Sequence, residues 1–194
     1  MPFETFPTPS GFVLPSFHSM PAFFTMQKYP DVLSSSTRQW ITLILAYARH
    51  QRLWTLRVED ANVKEGGDWS EIFWNPRVRR QMRTTHLDYL ISTMVAEGSA
   101  IYEPPKQTQS VIVCWKKVDE WAETLFDWVE STGQLNTILT HYEIQEPPVA
   151  SSLSDIPLTL LARAIQVLVK TGRAQQIEGT EGGGAIRFFN PPVR

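Results

Sequence analysis

The chain repeats itself, and an internal repeat restricts the possible folds more than any single motif does. With an offset of 81 residues, Trp40, Ile44, Leu45, Tyr47 and Ala48 fall on Trp121, Leu125, Phe126, Trp128 and Val129. With an offset of 74, Leu87, Ile91, Met94, Val95 and Gly98 fall on Leu161, Ile165, Leu168, Val169 and Gly172. Both sets keep the i, i+3, i+4, i+7 spacing that gathers apolar side chains on one helical face. Two copies of one small fold are expected within the 194 residues. Units of roughly 60–80 residues are close to the smallest that bury an adequate core alone. The seven tryptophans help, because each large ring removes much apolar area from water.

Local signals place the elements of each copy. Hydroxyls at residues 34–37, with Ser36 and Gln39 in capping-box spacing, predict a helix running to about Gln51. A short apolar segment at 53–58, a polar loop and a brief helix at 69–74 follow. A third helix is predicted over 87–97, with Thr85 and Asp88 at its start and Gly98 ending it in a left-handed turn. Strands are expected at 100–103 and 110–115. The second copy reads the same way. Asp119 opens a helix closed by Gly133, residues 137–144 form a short second helix, and Asp155 with Pro157 opens a third that Gly172 ends. Residues 173–178 and 185–189 then form a hairpin with a glycine-rich tip at 179–184. Three helices and a β-hairpin make the order of a winged helix, so the fold class is α+β. Its domains are two tandem winged helices, 34–116 and 117–194, preceded by an arm at 1–33.

The arm differs in composition from the rest. It holds six of the fourteen prolines and six of the ten phenylalanines, but only Glu4, Lys28 and Asp31 are charged. Proline disfavours helix and sheet interiors, which predicts an extended segment. Disordered tails are poor in aromatic residues, so this arm needs a surface to lie on. One reading folds it back on its own first unit. The other sends Pro21, Phe23 and Phe24, with a second cluster around Phe17, into pockets on another protein, where stiffened aromatic anchors lose little entropy on docking.

Chemistry is hard to find. His18, His50, His86 and His141 are scattered without a second histidine or cysteine at ligand spacing, and Cys114 is alone within an apolar strand. Asp119, Glu123, Asp127 and Glu130 share one helical face, opposite the tryptophan stripe, and read as a solvated surface. The run Gly182 to Gly184 feeds a strand, whereas a phosphate loop feeds a helix. No catalytic residue, metal, cofactor or small-molecule substrate is therefore expected.

A net charge of −2 supplies no general field for nucleic acid. Winged helices often lay their third helix in the major groove, and Arg77, Arg79, Arg80 and Arg83 precede the one in the first copy. That helix carries Asp88 and Glu97 but neither lysine nor arginine, so direct nucleic-acid binding is not expected. A winged-helix transcription or chromatin factor stands as the alternative. The start of the chain lacks the features of a signal peptide, and no apolar stretch approaches the roughly 20 residues that span a bilayer. A cytoplasmic protein is the default expectation.

Several segments carry a family likeness. They are Met20-Pro21-Ala22-Phe23-Phe24-Thr25-Met26-Gln27, Thr37-Arg38-Gln39-Trp40, Ile72-Phe73-Trp74-Asn75 and Trp115-Lys116-Lys117-Val118-Asp119-Glu120-Trp121 through Trp128, together with Ser131-Thr132-Gly133, Asn136 and Thr140-His141-Tyr142-Glu143. These resemble the small-subunit family of the endosomal sorting complex ESCRT-II. The likeness spans about residues 14 to 189 and is most specific from Trp121 to Glu143. It implies a non-enzymatic adaptor of two winged helices, with two copies in a Y-shaped complex. A proline-aromatic motif in the family docks the subunit on the core subunits, vacuolar protein-sorting proteins 22 and 36. Carried over, those contacts fall on Pro21, Phe23 and Phe24; the family has a second proline where this chain has Ala22. The second winged helix is implied to recruit an ESCRT-III subunit, vacuolar protein-sorting protein 20, in sorting ubiquitinated cargo to multivesicular bodies. Membrane contact is implied only through the complex, recruited to endosomes.

Overall fold

A computed structural model of the chain describes residues 5–177 and 184–190. The chain divides into two compact units, Met1–Trp115 and Lys116–Arg194.

The first unit begins with a short antiparallel ribbon, β1 (Phe6–Pro7) and β2 (Val13–Leu14). Two single-turn 3-10 helices follow, Ser16–Ser19 and Pro21–Phe24, before α1 (Pro30–Gln51). Next come β3 (Thr55–Arg57), α2 (Ser70–Phe73), the ribbon of β4 (Trp74–Asn75) and β5 (Arg80–Gln81), α3 (Thr84–Ala96), β6 (Ala100–Tyr102) and β7 (Ser110–Val113). The antiparallel sheet has the order β3-β7-β6, with Leu56 opposite Val111 and Ile101 opposite Ile112. The second unit contains α4 (Val118–Ser131), β8 (Ile138–Thr140), α5 (His141–Gln145), α6 (Leu158–Lys170), β9 (Ala174–Ile177) and β10 (Ala185–Phe188). Its sheet has the equivalent order β8-β10-β9. Each unit is thus a winged helix in which a third strand, between the first two helices, joins the hairpin.

Three expectations are corrected. The arm is not extended throughout, because Phe23 and Phe24 are consecutive and both are buried. An extended strand would point adjacent side chains to opposite sides; the 3-10 turn at Pro21–Phe24 turns both inward. The first helix also starts earlier than its hydroxyl cluster suggested. Pro30 occupies its first turn, where a missing N–H costs nothing, and Asp31 complements the positive helix end. In the second unit, residues 138–140 are a strand, and helix α5 begins only at His141. There Thr140 Oγ1 accepts from the Glu143 N–H at 3.3 Å, while Thr140 N–H donates back to the Glu143 carboxylate at 2.7 Å. Of the predicted hairpin tip at 179–184, all but Gly184 lies outside the described residues, as does Glu178 before it.

The repeated apolar stripes are the two cores. Trp40, Ile44, Leu87, Ile91 and Met94 are fully buried in the first unit; Leu125, Val129, Leu161, Ile165 and Leu168 are fully buried in the second, alongside Trp121. Cys114, just past β7, is also buried, and its N–H donates to the Ser99 carbonyl at 2.9 Å.

Candidate partner-docking surface

The arm is fastened to the first unit at several points between Phe6 and Phe24. At its turn, the Ser10 N–H and hydroxyl donate to the two oxygens of Glu71 at 3.1 and 2.5 Å, and the Tyr47 hydroxyl donates to the same carboxylate at 3.3 Å. Burial pushes the Glu71 carboxyl up, but the hydrogen bonds from Ser10, Thr8 and Tyr47 outweigh it and hold the group below its ordinary value. Burial, then the charge of Glu71, raises the Tyr47 phenol. Phe12 packs edge-on against the Tyr47 ring at 5.2 Å.

Farther along, the arm lies on Trp40. The Phe23 ring stacks on the indole with centroids 4.1 Å apart, and Phe24 meets it edge-on at 5.5 Å. The indole N–H donates to the Phe23 carbonyl at 2.9 Å. Below these rings, His18 Nε2 lies 2.8 Å from the Ile72 carbonyl, so that nitrogen donates and Nδ1 is left as an acceptor. Asn75 Nδ2 lies 3.2 Å from His18 Nδ1 and donates to the His18 carbonyl at 2.9 Å, while Asn75 Oδ1 accepts from the Arg77 N–H. The amide is therefore fixed from both ends. Burial holds the His18 imidazole below its ordinary value, with the Ile72 carbonyl acting the other way.

The structure sets the four expected contact residues in different surroundings. Phe23 and Phe24 are 6% and 3% exposed, sunk into their own unit, and in this conformation they cannot enter a pocket elsewhere. The complementary face of Trp40 is already on the same chain, so no second molecule has to be captured to cover the rings. Pro21 remains exposed, and Phe17 is half-buried against Phe23 at 4.8 Å. What stays open is a neighbouring set that the sequence reading missed: Met26 at 41% exposure, Tyr29 at 75% and Val32 at 49%. Single apolar residues on a polar background carry little sequence signal; only their place between an aromatic cluster and a helix start marked them. The second unit also exposes apolar side chains, notably Ile138, Tyr142, Val149 and Leu158.

The acidic face of α4 is solvated as expected, with Asp119, Glu123, Asp127 and Glu130 all exposed. Arg173 reaches across to Glu123 in a two-pronged pair, which lowers the carboxyl's affinity for a proton.

Comparison with known proteins gives one consistent result. The sequence profile of a family described as ESCRT-II complex subunit matches residues 17–154. The chain is 30% identical over 175 residues to vacuolar protein-sorting-associated protein 25 of Drosophila melanogaster, covering 89% of this chain and 95% of that protein. It is 26% identical over 181 residues to the protein of that name in Danio rerio, covering 92% and 99%. A solved structure of subunit VPS25 of the endosomal trafficking complex ESCRT-II is similar with a TM-score of 0.76 at 25% identity, covering 90% of this chain and 98% of that one. A chain in a crystal structure of the endosomal complex ESCRT-II, described as VPS22/VPS25/VPS36, has the same fold, with a TM-score of 0.73 at 22% identity and coverage of 91% and 98%.

Proposed function

The chain belongs to the ESCRT-II complex subunit family, and from that premise we propose that it is a non-enzymatic adaptor holding two different neighbours with its two winged helices. The observation that carries this reading is that each unit has its own closed core and its own exposed apolar side chains. Where such side chains gather, as Met26, Tyr29 and Val32 do around the start of α1, they offer a surface on which another protein can sit. On the first unit, Pro21, Met26, Tyr29 and Val32, with the edge of Phe17, receive the core subunits, vacuolar protein-sorting proteins 22 and 36. Phe23 and Phe24 serve this contact indirectly, by setting the path of the arm. On the second unit, Tyr142 and Leu158 belong to the surface that recruits the ESCRT-III subunit, vacuolar protein-sorting protein 20. The protein acts in the cytoplasm and is recruited to endosomes with its complex.

Two paired substitutions test the division of labour. Met26→Glu with Tyr29→Glu is expected to abolish co-purification with the two core subunits while leaving the unfolding transition unchanged. Tyr142→Glu with Leu158→Glu is expected to spare the core complex and to lose the ESCRT-III subunit. Retention of the core subunits by the first variant would place the docking surface elsewhere.

A further inference from the structure

The densest run of positive charge is built onto a short ribbon, and among the described residues it forms no ion pair with an acidic side chain. In the β4–β5 ribbon Trp74 pairs with Gln81 and Asn75 with Arg80, and the return between them is tight, with Arg79 in the left-handed region at φ 50°. Asn75 and Met82 point into the unit and are buried, and Val78 packs on the core. Arg77, Arg79, Arg80 and Arg83 are all exposed. Among the described residues, none of the Arg79, Arg80 and Arg83 guanidinium groups meets a carboxylate. Two further contacts shape the patch. The Arg77 guanidinium lies 3.5 Å from the centroid of the Phe6 ring, and Lys64 Nζ lies 5.0 Å from that of Trp74. Two cations therefore lie over aromatic rings, Arg77 on Phe6 and Lys64 on Trp74, beside three further exposed arginines of the same ribbon and its exit, in a chain whose net charge is −2. Glu65 and Asp68 follow Lys64 in sequence, so the positive field is strongest on the ribbon.

A cluster of this kind suits a polyanion, and the shape around it decides which. A duplex would need α3 in its major groove, but the exposed line of that helix is Thr85, Asp88 and Ser92, with no cation and one carboxylate. A bilayer asks for no inserted helix. Exposed arginines beside tryptophan and phenylalanine are the side chains that settle at a lipid headgroup layer, with the charge on phosphate and the ring below it. No helix among the described residues is long and apolar enough to cross a membrane, so such a contact is peripheral. We propose that the β4–β5 ribbon, through Arg77, Arg79, Arg80 and Arg83, binds directly to the anionic surface of a phospholipid bilayer. This goes beyond the adaptor reading, in which the membrane is reached only through the complex, and it does not depend on where the core subunits dock.

Sedimentation of the full chain with vesicles tests it, using phosphatidylcholine alone or phosphatidylcholine rich in phosphatidylserine. The chain should partition onto the acidic vesicles only, and less so as salt is raised. Each basic side chain at such a surface is worth about fivefold, so Arg79→Gln, Arg80→Gln and Arg83→Gln together should weaken partitioning about 100-fold. Removing Arg163 and Lys170 from the second unit in the same way should leave it unchanged. If the triple variant does not fold, Arg80→Gln alone should still show its fivefold share. Failure of the wild-type chain to bind acidic vesicles at low salt, equal binding by the variants, or tighter binding to duplex DNA than to vesicles would overturn the proposal.

Discussion

At the scale of single residues, Trp40 is where the arm meets the core of the first unit. It lies beneath Phe23 and Phe24, and two buried histidines meet its ring edge-on, His18 at 6.2 Å and His86 at 6.3 Å. Truncating a buried phenylalanine removes its transfer energy and leaves a cavity. Phe23→Ala and Phe24→Ala are therefore each expected to cost about 3–5 kcal/mol, read as a loss of stability in chemical denaturation rather than a simple loss of binding. The histidines make the same region sensitive to acid. Burial holds both imidazoles below their ordinary 6.5, against smaller opposing effects of the Ile72 carbonyl on His18 and the Phe24 backbone on His86. The unfolded chain therefore takes up protons first as pH falls. Stability from these groups is complete above 6.5 and declines below it. Denaturation midpoints should fall between about pH 7.5 and about pH 5.5, and His86→Leu should shrink the difference. The sequence announced that the arm's rings needed cover. It could not announce that Trp40 provides it, because a stacked pair seventeen residues apart leaves no periodic trace.

Among the elements, helix ends were more legible than strand pairing. Glycines were expected to end both third helices and the first helix of the second unit, and Gly98, Gly172 and Gly133 have φ of 77°, 72° and 69°. Behind each, the next N–H reaches back five residues: Ser99 to Met94, Arg173 to Leu168 and Gln134 to Val129, at 2.8 to 2.9 Å. Nothing lies within 4 Å of a Cβ built at Gly98 or Gly172, so a side chain there would meet only backbone strain. Gly98→Ala and Gly172→Ala should each destabilise by about 1 kcal/mol, seen as a small drop in melting temperature. Helix α1 ends the same way without glycine, at Arg52 with φ 57°. The strands β3 and β8 escaped the sequence reading because each is three residues long and pairs with a strand far along the chain, β7 or β10, whereas the equally short β6 is joined to its partner β7 by a turn-rich segment that marks the pair.

For the whole molecule, duplication gives two cores that answer separately to damage. The second has Trp121, Leu125, Val129, Leu161, Ile165, Leu168, Ile186 and Phe188 buried within Lys116–Arg194. A fragment spanning that unit should fold alone with a cooperative thermal transition, though with the modest stability of a domain near the lower size limit. A first-unit fragment beginning at Pro30 should not, because it would lack the arm that covers Trp40; circular dichroism of the two fragments checks both outcomes. A practical corollary follows from the lone cysteine beside β7. Its sulfur is sheltered until the end of the central strand there comes loose, so the rate at which an alkylating reagent captures it clocks the breathing of one half of the polypeptide and is deaf to the other.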